Sequence, residues 1–190
     1  DRQRVDEDRQ ALTEAGNGCA RIFKIIEDIR AYAHPGRAKR ELNDVNRLVE
    51  VALTLAASEL RRWSKVTRDF GRIPEVMCDG SKVSQVVLNL LVNAAQAIER
   101  TGRVGTVTVQ TRVEGAQALI VVADDGPGIP AENQSKVFQL YFTTKEKGSG
   151  IGLAMTFRAI QLHNGTIEFT SEVGKGTVFR LRFPVSAEAA

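Results

Sequence analysis

Cysteine is nearly missing from this chain of 190 residues, and what little there is lies far apart, at Cys19 and Cys78. Two distant thiols make no disulfide scaffold; they read as buried free cysteines of a reducing compartment. Charge of one sign is lacking too. The formal net charge is only +3, with acids and bases interleaved, and the densest basic runs, Arg37–Arg40 and Arg61–Lys65, are short. A nucleic-acid binder concentrates its cations into a patch, so no nucleic-acid partner is expected. Nor does any stretch approach the roughly 20 apolar residues of a membrane span, and no segment is organised as a signal peptide. The chain opens on Asp1 without a methionine. The expectation is therefore a cytoplasmic piece of a longer protein, with any membrane tether or sensor lying upstream. What is present is ordinary for a globular protein, 43% hydrophobic and 26% charged residues, enough for one domain and an extra element.

Residues 1–34 read as one long helix. Leu12, Ala15, Cys19, Ile22, Ile26, Ile29 and Ala33 keep the alternation of three and four that makes a coiled-coil or bundle seam. Such a face requires a partner helix. His34-Pro35-Gly36 ends it, because the residue before proline is pushed from helical geometry. The remaining chain changes pattern. "ELNDV" (41–45) is a weak strand, and Asn46 is placed as N-cap of a helix carrying Leu48, Val49, Ala52, Leu55, Ala56 and Leu60. Strands follow at 64–70 and 75–78, then a strongly apolar helix capped by Asp79 and running to about Ile98. "GTVTVQTRV" and "QALIVVAD" form a hairpin, and "GTIEFTS" with "GTVFRLRFP" forms another. Between them lie a Gly/Pro/Lys/Thr-rich loop, 125–149, long enough to be functional, and a helix over about 150–163. Helices and strands mix without regular alternation, so the expected fold class is an α/β two-layer sandwich: a mixed sheet covered by helices on one face, preceded by the long helix.

Three stretches carry chemistry. In "QVVLNLLVNAAQA" (85–97), Gln85, Asn89, Asn93 and Gln96 or Ala97 recur at helical spacing, drawing a carboxamide stripe along an apolar helix. Solvated amides would explain it; so would a Mg²⁺ site, since this ion takes one or two protein oxygens and completes its shell with water and nucleotide phosphate. In "ADDGPGIP" (123–130) an apolar strand ends in Asp124 and Asp125. A turn explains the composition, but a carboxylate closing a buried strand is costly unless it is used, and Asp124 could accept the exocyclic amino group of adenine. In "YFTTKEKGSGIGL" (141–153) three alternating glycines open a helix whose free N–H groups favour phosphate, with Lys145 upstream as a mobile cation. No βαβ unit surrounds the glycines and no Gly-Lys-Ser/Thr follows them, which removes the Rossmann and Walker A alternatives.

In this order and spacing, "NLLVNAAQA", "DDGPGIP", "VFQLYFTTK" and "GSGIGL" resemble the catalytic ATP-binding domain of sensor histidine kinases, of the ATPase superfamily shared with gyrase, mismatch-repair ATPases and one class of heat-shock chaperone. The "HNGTIEFTSEVGKGTVFRLRFP" segment resembles the closing part of that domain, and the "TTK" form is most similar to the nitrogen-regulatory branch. The resemblance spans about residues 20–186. It implies a Bergerat (GHKL) type sandwich over 41–186 and a second dimerisation helix at 1–36. A linker at 37–40 and a short tail at 187–190 complete the division. It further implies ATP and Mg²⁺ as cofactors, a response-regulator receiver domain as partner, and a homodimer through the N-terminal helix. Asn89 and Asn93 match the N box, with Asn93 the metal ligand and Asn89 a second candidate. Asp124, Gly126, Gly128 and Ile129 match the adenine-binding first glycine box. Phe138 and Phe142 match the phenylalanine box. Thr143, Thr144, Lys145, Gly148, Ser149, Gly150, Ile151, Gly152 and Leu153 match the lid and second glycine box, and Asn93 and Lys145 are the catalytic pair. On this reading Gly148 and Gly150 let the lid fold over a triphosphate and Gly152 lets the helix start approach it. Gly150→Val is then expected to weaken ATP binding at least about tenfold with the fold intact.

One family feature has no match. The phosphorylated histidine should be followed by an acid and then proline. His34 is followed by Pro35 and Gly36, and His163 sits in "QLHNGT", a structural position at a helix end. The accepting histidine is expected upstream of Asp1, so this chain alone is not expected to phosphorylate itself. An anti-sigma-type serine kinase on the same fold, a nucleotide-binding pseudokinase scaffold and a gyrase-like hydrolase are the rivals. The long heptad helix argues against the first, and the intact motif residues argue against the second. For the third, Gln85 and Gln96 stand where an acidic base would be needed.

Overall fold

A computed structural model describes residues 16, 39–145 and 148–185 of the chain. The expected long helix, His34 and Cys19 fall outside the described residues. Five helices and seven strands succeed one another among the described residues. They are β1 (Glu41–Asn43), α1 (Val45–Leu55), α2 (Ala57–Trp63), β2 (Ser64–Phe70), β3 (Val76–Cys78), α3 (Gly80–Glu99), β4 (Gly105–Glu114), β5 (Gln117–Asp124), α4 (Ala131–Gln134), α5 (Gly152–Leu162), β6 (Thr166–Glu172) and β7 (Gly176–Pro184).

The main sheet has the order β2-β4-β5-β7-β6. β2 runs parallel to β4, and the other neighbours are antiparallel. A parallel pair cannot be closed by a tight turn. The chain between β2 and β4 therefore travels across the sheet, and α3 rides on that crossover. β1 and β3 pair separately as a two-stranded ribbon, with Leu42 opposite Met77.

The α3 segment is a helix because apolar residues repeat at its inner face and Asp79 caps its start. The Asp79 carboxylate accepts from the N–H groups of Ser81 (3.1 Å) and Lys82 (3.2 Å). Val83, Val86, Val87, Leu90, Leu91, Ala94, Ala95 and Ile98 are all buried, each worth about 1.5–3 kcal/mol for the larger side chains. They pack with α1, α2 and α5 over the inner side chains of the sheet, Val107, Val109, Ile120, Val122, Phe179, Leu181 and Phe183.

The sequence expectation for α1 is corrected here: its N-cap is Asp44, whose carboxylate accepts from Asn46 N–H (2.8 Å) and Arg47 N–H (3.3 Å). Asn46 instead ties the helix to the sheet. Its amide donates to the Gly71 carbonyl (2.9 Å) and its oxygen accepts from Thr111 Oγ1 (2.6 Å). A capping carboxylate two residues earlier leaves Asn46 free for tertiary bonds, which no local pattern reveals.

β5 is buried on both faces although only one is covered by helices. Leu119 and Val121 belong to the outer face, opposite Arg182 and Arg180 of β7. The arginine stems lie over these side chains, and Arg182 holds its head with Glu168 (2.8 Å) and Glu114 (3.6 Å). The fold is thus a two-layer sandwich, as expected, with a charged lattice on its open side. Cys78 is a buried free thiol, and burial pushes it up to about 11. No helix among the described residues is long and apolar enough to cross a membrane.

Candidate functional site

The site is organised by one face of α3. Residues at 89, 93, 96 and 97 share that face at helical spacing, and each meets a different part of the chain. Asn89 meets the start of α5: its amide donates to the Gly152 carbonyl (3.4 Å) while its oxygen accepts from Gln85 (3.1 Å). Asn93 and Gln96 meet the loop before α5. The Lys145 ammonium donates to Asn93 Oδ1 (2.8 Å) and to Gln96 Oε1 (2.6 Å). Ala97 meets the turn after β5, where a side-chain carbon built on Gly126 would lie 3.2 Å from its methyl group. Three stretches, the farthest 63 residues along the chain from its partner, thus converge on two turns of helix.

Asp124 ends β5 beside the Gly126 turn that meets Ala97. Its carboxylate accepts from Gly126 N–H (2.9 Å). Burial dominates its titration and raises it to about 6, against the Gly126 and Thr177 N–H groups, which favour the anion; neighbouring Asp125 adds to the rise. Asp125 behaves oppositely. Burial disfavours its charge, but the Thr106 N–H (2.9 Å) and the Arg103 guanidinium (3.1 Å) hold it below the usual carboxylate range. Two adjacent aspartates therefore have separate tasks. Asp125 pins the start of β4 to the turn, whereas Asp124 keeps an under-compensated acceptor facing the cleft.

The turn itself is fixed from outside. Ile129 N–H donates to Ser171 Oγ (2.8 Å), and Gly174 N–H donates to the Pro127 carbonyl (2.9 Å). Gly128 backs onto the β6–β7 turn at Glu172. Phe138 lies in the core, with its ring 5.2 Å from Phe157 and 5.8 Å from Phe169. Phe142 is half-buried, and Thr144 is exposed. Thr143 Oγ1 accepts from Lys145 N–H (3.0 Å), which shapes the chain so that the lysine turns inward. Ile151 is buried, Leu153 packs on the core, and Ser149 Oγ makes a long contact with Ile151 N–H (3.4 Å).

The glycines differ in what they do. Gly150 has φ 68°, and a side-chain carbon there would lie 2.3 Å from the Tyr141 backbone. Tyr141 itself has φ 67°, and its N–H donates to the Gly150 carbonyl (3.0 Å). Gly148 is similarly confined by Thr143. At Gly150 the obstacle is the chain's own backbone, and at Gly148 it is the Thr143 side chain. At Gly152 a side chain would meet nothing within 4 Å, so the first turn of α5 has open space beside it.

Among the described residues no group of three His, Cys, Asp or Glu side chains could hold a metal ion. The amide oxygen of Asn93 nevertheless fits a hard cation: it already accepts from one, the Lys145 ammonium, which Gln96 Oε1 holds from the side. Gln96 is the residue that sequence reasoning left unassigned. The signal was its place one helical turn beyond Asn93. His163 lies away from the site. It is buried at the end of α5, its Nδ1–H donating to the Ala159 carbonyl (2.7 Å) and its Nε2 accepting from Asp79 N–H (3.0 Å).

Mixed sheet, one helical layer, and an amide-bearing helix face met by the Asp124–Gly126 turn at one end and by an uncapped helix start at the other define a class: a two-layer α/β domain of the kind that binds nucleotides. The chain belongs to the histidine kinase-, DNA gyrase B-, and HSP90-like ATPase family, whose model matches residues 78–187. Curated relatives include the sensor histidine kinase ZraS of Escherichia coli K12, 33% identical over 168 residues, covering 87% of this chain and 36% of the relative. The signal transduction histidine-protein kinase AtoS of the same strain is 32% identical over 169 residues, covering 88% and 28%. The chain thus spans about a third of the length of these relatives. Among solved structures, the mycobacterial sensor histidine kinase MprB superposes with TM-score 0.67 at 26% identity, over 76% of this chain and 97% of that one. The histidine kinase ThkA, solved in complex with the response regulator TrrA, gives TM-score 0.73 at 25% identity, covering 92% and 50%.

Proposed function

We propose that this chain is the ATP-binding part of a sensor histidine kinase. In the complete protein it transfers the γ-phosphoryl group of ATP to a histidine on a dimerisation helix, from which a receiver aspartate of a response regulator takes it. The observation that carries the reading is the convergence on α3: Asp124, Lys145 and the open first turn of α5 all border the face that bears Asn89 and Asn93.

Each residue has a task in that cleft. Asp124 accepts the adenine amino group, with Gly126 leaving room for the ring. Asn93 Oδ1 holds Mg²⁺, with Asn89 orienting the start of α5 beside it. The ion, when bound, neutralises charge developing on the β- and γ-phosphates. Lys145 places a cation on the outer phosphates, and the N–H groups at Gly152 and Leu153 receive the chain of oxygens. Catalysis is positioning and charge stabilisation, because a neutral imidazole acceptor hardly needs a base. The division into a 1–36 dimerisation helix, a 37–40 linker, a 41–186 catalytic domain and a 187–190 tail belongs to the same proposal. So do homodimerisation through that helix and a cytoplasmic setting, with any tether upstream.

The test uses the chain as it stands. Calorimetry should give ADP binding that strengthens with Mg²⁺, with the Mg²⁺ gain lost in Asn93→Ala. Incubation with γ-labelled ATP and a separate helix bearing an accepting histidine should give acid-labile label on that helix. No nucleotide binding by the folded chain would overturn the site. Acid-stable label on a serine substrate would move the protein to the serine kinases.

A further inference from the structure

Lys145 is a half-buried cation with no counter-anion among the described residues. Its ammonium is held by two neutral amide oxygens, Asn93 Oδ1 at 2.8 Å and Gln96 Oε1 at 2.6 Å. No ion pair of Lys145 occurs among the described residues, and the like-charged Arg100 acts on it. Burial first, and Arg100 second, lower its proton affinity from the ordinary lysine value. An ammonium in such a place is held by geometry and dipoles, with its charge left over for something else.

Resting on the proposed ATP site, we propose that Gln96 is a positioning residue that parks the Lys145 ammonium at the N-box amides, in the seat of the nucleotide's metal. Binding of Mg²⁺-nucleotide then exchanges one cation for another at Asn93, and Lys145, released from a neutral cradle, moves onto the phosphates. The choice of an amide at position 96 is what makes the exchange feasible. A carboxylate would turn the cradle into a buried ion pair, whose separation leaves an uncompensated charge behind. An apolar side chain would remove one of the two acceptors, and the lysine would return to solvent.

Two variants and the parent read this out without any catalytic assay: Gln96→Met is of similar length but has no strong acceptor, and Gln96→Glu has the same shape but is charged. In the nucleotide-free protein, acetylation of Lys145 by an amine-reactive ester is followed by peptide mass spectrometry, with circular dichroism confirming the fold. Expected is slow labelling in the parent, labelling about tenfold faster in Gln96→Met, and labelling at or below the parent rate in Gln96→Glu. Calorimetry with Mg²⁺-ADP should then give affinity about tenfold weaker for Gln96→Glu, whose lysine stays trapped, and near-parental affinity for Gln96→Met. Equal Lys145 labelling in the parent and Gln96→Met overturns the parking. Unchanged affinity in Gln96→Glu overturns the exchange. Absence of ADP binding in all three, with the labelling difference intact, counts against the ATP reading instead.

Discussion

Asp124 costs the fold something, and in the proposed site it is the adenine acceptor. Its folded value of about 6 lies above the ordinary carboxylate value of 3.8, so the native state binds the proton more tightly than the unfolded chain does. The sign follows: the favourable contribution is fully present below pH 3.8 and is lost as pH rises through about 6. At pH 7 the ionised form is penalised by roughly 3 kcal/mol at most. Asp124→Asn keeps an acceptor for Gly126 N–H and removes the charge. It should raise stability at pH 7 by about 1–3 kcal/mol, flatten the stability change between pH 4 and 6, and abolish adenine-nucleotide binding. Denaturant melts across pH, with calorimetry, check this; a destabilised variant at pH 7 would show that the carboxylate is compensated. Gly150 and Gly152 make a second contrast at this scale. Gly150→Val must distort the Tyr141 backbone, so it should lower the melting temperature as well as nucleotide affinity. Gly152→Ala should leave the fold unchanged or slightly firmer, by about 1 kcal/mol from helix propensity, and weaken only nucleotide binding. Thermal scans with and without ADP separate the two, and equal effects would place the glycines in one role.

At the scale of elements, α3 is both the largest contributor to the core and the floor of the site. Its N-terminus is held twice. The Asp79 side chain caps it, and the Asp79 N–H is bound by His163 at the end of α5. Burial works against the Asp79 charge, but the Ser81 hydroxyl and the Ser81 and Lys82 N–H groups lower its pKa. A lowered acid contributes stability above its unfolded value, lost as pH falls through the folded one. Asp79→Ala should cost about 1 kcal/mol at pH 7 and nothing once the carboxyl is protonated. Urea melts at pH 7 and pH 3 test it; a cost that persists in acid would assign the effect to packing. α3 was legible because apolar spacing and capping are local properties. So were both hairpins, whose alternation needs no tertiary information. The N-cap of α1 was misassigned to Asn46 because Asp44 and Asn46 are both good caps. Only the contacts of Asn46 with Gly71 and Thr111 decide between them.

At the scale of the whole molecule, the buried cluster among the described residues runs from Val45 to Phe183. A fragment of residues 39–185 should therefore unfold in one cooperative transition and bind ADP with the affinity of the full chain. Loss of cooperativity by calorimetry would mean that residues 1–38 complete the core.

Sequence alone determined the class of fold and the order of the motifs, because hydrophobic period and short-range turn chemistry act over a few residues. The tertiary structure decided how the motif residues are used. It separated the tasks of Asp124 and Asp125, assigned Gly150 to its own backbone contact, and joined Lys145 to Asn93 and Gln96. These are interactions between parts of the chain distant in sequence, and their energies exist only once the crossover has carried α3 over the sheet.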